Sequence, residues 1–122
     1  MNEFFVGLDV STQGQKLVTI DIDKNSVIYS DSINYDIDLP EYETLNGVIQ
    51  NADSGVSESD PNMWIDGIHI LFNRLKTNSD VIHSIKSISV AGQQHGLVAI
   101  DKNKKLTKST SKLWNDFSTA EE

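Results

Sequence analysis

Apolar residues follow two different periods along this chain. Phe4-Phe5-Val6-Gly7-Leu8 is a short continuous apolar run, the pattern of a strand covered on both faces. Lys16 to Ile22 alternates, so that Val18, Ile20 and Ile22 share one face of a second strand. A third is expected from Val27 to about Asn34. The connections are Val10-Ser11-Thr12-Gln13-Gly14-Gln15 and Asp23-Lys24-Asn25-Ser26, both with turn composition. Such short links join antiparallel neighbours, and the opening reads as a three-stranded meander.

Leu39 to Ser59 has no clear period, apart from a short strand expected around Val48 to Gln50. The period then becomes helical. Asp60 can cap the first N–H groups and Pro61 suits the first helical position. Trp64, Ile68, Leu71, Phe72 and Leu75 form one apolar stripe, and Asn78-Ser79 ends it. Further strands are expected at Ser87 to Ala91, Leu97 to Asp101 and Lys112 to Trp114, with a turn at Lys102-Asn103-Lys104. Ser118-Thr119-Ala120-Glu121 matches the Ser-x-x-Glu box that opens a helix, while the last residue is Glu122. A helix needs several turns to repay its nucleus, so the expectation is a chain truncated relative to a longer parent.

Composition narrows the function classes. The 122 residues fit one domain or part of one. With 18 acidic against 10 basic residues the net charge is -8, which disfavours nucleic acid and anionic membrane surfaces as partners. The basic run Lys102, Lys104, Lys105 and Lys108 reads as a solvated turn. There is no cysteine, which removes disulfides, thiolate nucleophiles and Cys-ligated zinc. Met1 to Phe5 lacks a basic leader pattern, and no window reaches membrane-span length; the expected setting is the cytoplasm.

Three segments carry candidate chemistry. In Gly7-Leu8-Asp9-Val10-Ser11-Thr12-Gln13, Asp9 ends a buried strand, where a carboxylate needs hydrogen bonds or a cation. Ser11, Thr12 and the turn's N–H groups can hold an anion such as phosphate, and Asp9 its hydrated magnesium. Ala91-Gly92-Gln93-Gln94-His95-Gly96 follows a strand and offers mixed donors and acceptors, which polyol hydroxyls require. Leu113-Trp114-Asn115-Asp116 sets an aromatic beside two polar side chains that can bond a sugar. Each segment is equally what an ordinary polar turn or strand end looks like. His69, His83 and His95 make no zinc-like spacing.

Their order and spacing resemble the N-terminal lobe of the FGGY carbohydrate kinase family. Gly7 to Gln13 resembles its first phosphate motif, and Ile88-Ser89-Val90-Ala91-Gly92-Gln93-Gln94-His95-Gly96 the sugar-site loop of its xylulokinase branch. Leu113 to Asp116 resembles the Trp-x-Asp segment that follows. Asp36 to Glu41 and Met63-Trp64 look like the longer, eukaryotic-type members. The resemblance implies a ribonuclease H-like, actin-like α/β lobe with a mixed sheet. Residues 1–122 would then be the N-terminal part of kinase domain I, without the second lobe. It implies ATP and Mg2+ as cofactors and D-xylulose as the sugar, converted to D-xylulose 5-phosphate. Asp9 would face the magnesium through water, Ser11, Thr12 and Gln15 the phosphates, and Gln94, His95 and Asp116 the sugar. The family's catalytic base lies beyond the equivalent of Glu122, so the chain alone would be inactive and would self-associate through uncovered surface.

Two other classes fit less of the sequence. A standalone, non-catalytic sugar- or nucleotide-binding module on the same fold accounts for the loops but not for the unfinished helix. A ribonuclease H-type nuclease needs several carboxylates around two metals, and here only Asp9 is well placed.

Overall fold

A computed structural model describes residues 2–51 and 53–120. The meander forms where alternation predicts it. Strands β1 (Phe4–Val10) and β2 (Gly14–Asp21) pair antiparallel, with Leu8 opposite Leu17, and β3 (Ser26–Asn34) pairs antiparallel with β2. The Asp21 carboxylate accepts from the N–H of Lys24 and so fixes the turn between β2 and β3. Asn34 then caps a one-turn helix, α1 (Tyr35–Asp38), by accepting from the N–H of Ile37. A 3-10 turn over Pro40–Tyr42 leads to the hairpin β4 (Thr44–Leu45) and β5 (Val48–Ile49).

After the short strand β6 (Glu58–Ser59) comes α2 (Pro61–Lys76), started by Asp60 accepting from the N–H of Asn62. A single turn, α3 (Ser79–Ile82), delivers the chain into β7 (Ile85–Gly92). This last long strand pairs parallel with β1, completing a mixed sheet of order β3-β2-β1-β7. Near the end, β8 (Ser111–Lys112) pairs with β6. The crossover from β1 to a parallel neighbour passes through α2, which packs on one face of the sheet.

Phe4, Val6, Leu8, Leu17 and Ile33 from the sheet meet Met63, Leu71 and Leu75 from α2, with Tyr35 and Leu39 closing the end. The helix stripe is centred one position away from the expected one. Met63, Gly67, Leu71 and Leu75 are buried, while Trp64, Ile68 and Phe72 lie at its margin.

Several expectations change. Among the described residues β1 is covered on one face only: Phe5 and Gly7 are half-buried and Asp9 is exposed. In β2 the inward face carries Gln15, Leu17, Thr19 and Asp21, so Ile20 and Ile22 of the apolar set face outward. The antiparallel register decides this, because it aligns Leu17 with Leu8. Leu97 to Asp101 is not a strand; it is an irregular loop with one bridge, Ile100 to Leu106. The helix expected at Ser118 falls partly on Glu121, outside the described residues, and 118–120 form a turn. The Ser118 hydroxyl donates to Asp116, and its oxygen accepts from Lys112 instead of from a helical N–H.

Gly67 is where α2 comes closest to the sheet. A Cβ there would stand 2.5 Å from Gln15 Nε2 and 2.8 Å from Ile33 Cδ1. The Gln15 amide is not free to move, since Nε2 donates to the Trp64 carbonyl at 2.7 Å. Alanine gains about 1 kcal/mol of helix propensity over glycine. Overpacking costs about 1–3 kcal/mol, and a broken buried hydrogen bond adds about 1 more. The clash wins, and Gly67→Ala is expected to lower the urea midpoint of unfolding; an unchanged or higher midpoint would contradict this packing.

Candidate functional site

The parallel register of β1 with β7 places Val10 beside Gly92, and the N–H of Gln93 donates to the Val10 carbonyl at 3.0 Å. Both strands therefore end together. The Ser11–Gly14 turn and the Gln93–Gly96 loop leave the sheet side by side, at the carboxyl edge where open α/β sheets take ligands. Between them lies an open pocket of about 380 Å³. Asp9, Ser11 and Thr12 line it from the turn, Gly92 to His95 from the loop, and Trp114 from a third segment. That volume suits a small ligand.

The turn is tight. Ser11 N–H donates to the Gly14 carbonyl at 2.9 Å, while the N–H groups of Thr12 and Gln13 make no hydrogen bond among the described residues. Two uncommitted N–H donors and two hydroxyls favour an anion. The Asp9 carboxylate is exposed and has no hydrogen-bond or ion-pair partner among the described residues. No cluster of three or more potential metal ligands exists among them. A lone carboxylate does not enclose a metal, but it fits a Mg2+ that keeps most of its waters.

Three supports hold the turn from behind. Gly14 lies so close to β3 that a Cβ would stand 2.2 Å from the Ile33 carbonyl oxygen. Tyr35, fully buried, donates its hydroxyl to the Ser11 carbonyl at 3.2 Å, and its N–H donates to Gln13 at 3.0 Å. The third is the tip of the β4–β5 hairpin. Asn46 and Gly47 both have positive φ, 54° and 77°, as a two-residue hairpin turn requires. A Cβ on Gly47 would fall 1.9 Å from the Thr12 carbonyl oxygen. Asp36 ties that tip down, accepting from Thr44 Oγ1 at 2.7 Å and from the N–H groups of Asn46 and Gly47. Burial pushes its pKa up, yet these hydrogen bonds outweigh burial and hold the carboxyl below its ordinary range.

On the loop side, His95 has φ of 62°, a left-handed conformation uncommon outside glycine, and its ring is exposed at the pocket. Trp114 is half-exposed, but its backbone is fixed: Leu113 N–H donates to Ser57 and Phe117 N–H to Gly55. Its Nε1–H donates to Thr12 Oγ1 at 3.0 Å.

Two candidates point elsewhere. Gln15 is buried on the α2 side of β2, with its amide donating to Trp64, and it is not among the pocket's lining residues. The Asp116 carboxylate accepts from Ser118, from the N–H of Ser57 and from Lys112, bracing its own segment. The Ser118 hydroxyl first, and then the Ser57 N–H, hold it well below the usual carboxylate range. Asp9, Ser11, Thr12, Gln94 and His95 do come together. Gln93 belongs to the loop that the sequence marks out, whereas Tyr35, Asp36 and Gly47 act from outside the three motif segments. The Asn46-Gly47 dipeptide was the one available signal among them.

The sheet order β3-β2-β1-β7, with the turn and the loop opening side by side at the switch from antiparallel to parallel pairing, defines the fold class: a ribonuclease H-like lobe. The model of the FGGY family of carbohydrate kinases, N-terminal domain, matches residues 4–122, and the chain belongs to that family. The xylulose kinase of Schizosaccharomyces pombe is 39% identical over 137 aligned residues, covering 97% of this chain and 24% of that protein. The xylulose kinase of Mus musculus is 37% identical over 93, covering 76% of this chain and 17% of that protein. A crystal structure of a xyloylose kinase from Brucella ovis matches with a TM-score of 0.77 and 25% identity, over 95% of this chain and 22% of that one. The chain thus spans about a quarter or less of the length of these relatives. The mixed sheet with its antiparallel opening and the actin-like fold class agree with the sequence expectation.

Burial pushes the Tyr35 hydroxyl up to about 12 from an ordinary 10. Its proton is bound more tightly in the folded chain, so its contribution is complete below pH 10 and is lost as pH rises towards 12. Tyr35→Phe is expected to cost about 1 kcal/mol at neutral pH and to remove part of the alkaline loss of stability between those values. Urea melts of both proteins across the alkaline range check this; parallel pH profiles would refute the role of the hydroxyl.

Proposed function

We propose that residues 1–122 are the N-terminal part of kinase domain I of a longer cytoplasmic enzyme. That parent transfers a phosphoryl group from ATP to D-xylulose, giving D-xylulose 5-phosphate. The observation that carries this reading is the convergence in one pocket of Asp9, Ser11 and Thr12 with Gln94 and His95. ATP with Mg2+ supplies the transferable group and neutralises its charge. Asp9 holds the hydrated metal, and the Ser11–Gly14 turn orients the terminal phosphates with its hydroxyls and N–H groups. Gln94 and His95 bind sugar hydroxyls and fix the attacking one. Gln15 and Asp116 serve the site indirectly, the first by packing α2 under the turn and the second by bracing the Trp114 segment. The base that accepts the sugar proton and the second lobe belong to the rest of the parent, and this chain alone is inactive.

The complete kinase should release ADP with D-xylulose in preference to D-ribulose, glycerol or gluconate; another preferred substrate would sink the sugar assignment. In the same enzyme His95→Asn keeps a residue that tolerates the left-handed backbone but removes the imidazole. Loss of one hydrogen-bonding group should raise KM for the sugar about tenfold and leave KM for ATP within about twofold. Equal losses for both substrates would contradict the role of His95.

The outer edge of the sheet supports a second part of the proposal. On β7, Ile88 is 50% and Val90 63% exposed, and Leu97, Ile100 and Phe117 are exposed as well. β7 has no strand on its far side among the described residues. An apolar, unpaired edge invites pairing with another chain. The isolated chain is therefore expected to sediment as concentration-dependent species larger than a monomer and to bind hydrophobic dyes. A monomer without dye binding would count against it.

A further inference from the structure

We propose that the Thr12 hydroxyl is a shared proton donor that couples the sugar-side loop to the phosphate-side turn, so that sugar and nucleotide bind synergistically. The inference rests on the reading of the pocket as a sugar and nucleotide-phosphate site. Three side chains from distant segments form one chain of hydrogen bonds. Trp114 Nε1 donates to Thr12 Oγ1 at 3.0 Å, and Thr12 Oγ1 donates to Gln93 Oε1 at 3.3 Å. All three line the pocket.

The indole N–H can only donate, so Thr12 must accept from it. A hydroxyl has one proton, and here that proton goes to Gln93. A phosphate oxygen facing Thr12 is an acceptor at neutral pH. It can bond the hydroxyl only by drawing the proton away from Gln93. The bond it replaces is long for an O–H donor, whose usual distance is about 2.7–2.8 Å. Bonds to a charged acceptor are stronger than neutral ones. Phosphate thus wins the proton, and the Gln93 carbonyl is left needing a donor. A sugar hydroxyl in the same pocket supplies one. The Gln93 carbonyl has two lone pairs, so a sugar hydroxyl can join Thr12 there, and with sugar bound the Thr12 proton passes to phosphate without leaving that carbonyl unpaired. Coupling between two ligands is reciprocal, so each tightens the other. Thr12 acts here as a positioning residue whose effect appears only when both ligands are present.

The test is calorimetric titration of the complete kinase with a non-hydrolysable ATP analogue, with and without D-xylulose. In the unmodified enzyme the sugar should tighten the analogue by about fivefold or more. Thr12→Val keeps the shape and removes the hydroxyl. It should bring the ratio to within about twofold of one by weakening the sugar-bound affinity, and Thr12→Ser should restore the ratio. Gln93→Ala should also collapse the ratio, but by tightening the sugar-free affinity, because Thr12 is then always available. These opposite routes separate coupling from general damage, and Gln93→Ala carries the test if Thr12→Val does not fold. A Thr12→Val enzyme with the unmodified ratio, or a Gln93→Ala enzyme that only loses affinity, overturns the proposal. So does a ratio of one in an unmodified enzyme that phosphorylates D-xylulose. An unmodified enzyme without sugar-dependent turnover overturns the kinase reading itself, and the coupling with it.

Discussion

The parallel pairing of β1 with β7 is the constraint on which the site depends. Within the mixed sheet it is the one junction where two strands run the same way. Because Val10 stands beside Gly92, the phosphate-type turn and the polyol-type loop open from one edge. A register slip by one residue would turn Val6 and Leu8 out of the core. The core therefore guards the register, and the register guards the pocket.

Around that junction the chain spends little of its length on the ligand-facing side and much on support. Tyr35, Asp36 and the Asn46-Gly47 tip face no ligand, yet each fixes the backbone of the Ser11–Gly14 turn or its neighbour. Their chemistry suits the task. A buried phenol gives one directional donor, a carboxylate gathers several N–H and O–H groups at once, and glycine permits backbone to touch backbone. The turn is consequently held in place by packing and hydrogen bonds from its own chain.

Short-range pattern made the meander and α2 legible, because strand alternation and helix caps act over a few residues. The Asp60-Pro61 start held to the residue. What sequence pattern could not convey was which face of β2 looks inward. Val18, Ile20 and Ile22 do share one face, but pairing of Leu17 with Leu8 turns that face outward. That choice also carried Gln15 away from the pocket, only four positions after Ser11. Asp116 was displaced for a similar reason. Its partners Ser57 and Ser118 flank it in space, and one of them lies 59 positions back in the chain. The linear motif showed which residues gather at the edge; long-range packing decided which of them point into the pocket.

The separation of β7 from β1 has a consequence for how the lobe forms. The meander strands find one another across turns of a few residues, whereas Val6 waits for Ile88, about 80 positions later, and closing so long a loop is slow. During synthesis the inner strand β1 is then temporarily an edge, and Phe4 to Leu8 stands open to wrong partners until β7 emerges and docks. The pocket has no existence in that interval, since half of it arrives with the docking strand. Occupation of the pocket and completion of the fold are therefore joined in time: a molecule that touches both the turn and the loop can be held only once the last long strand has found its place.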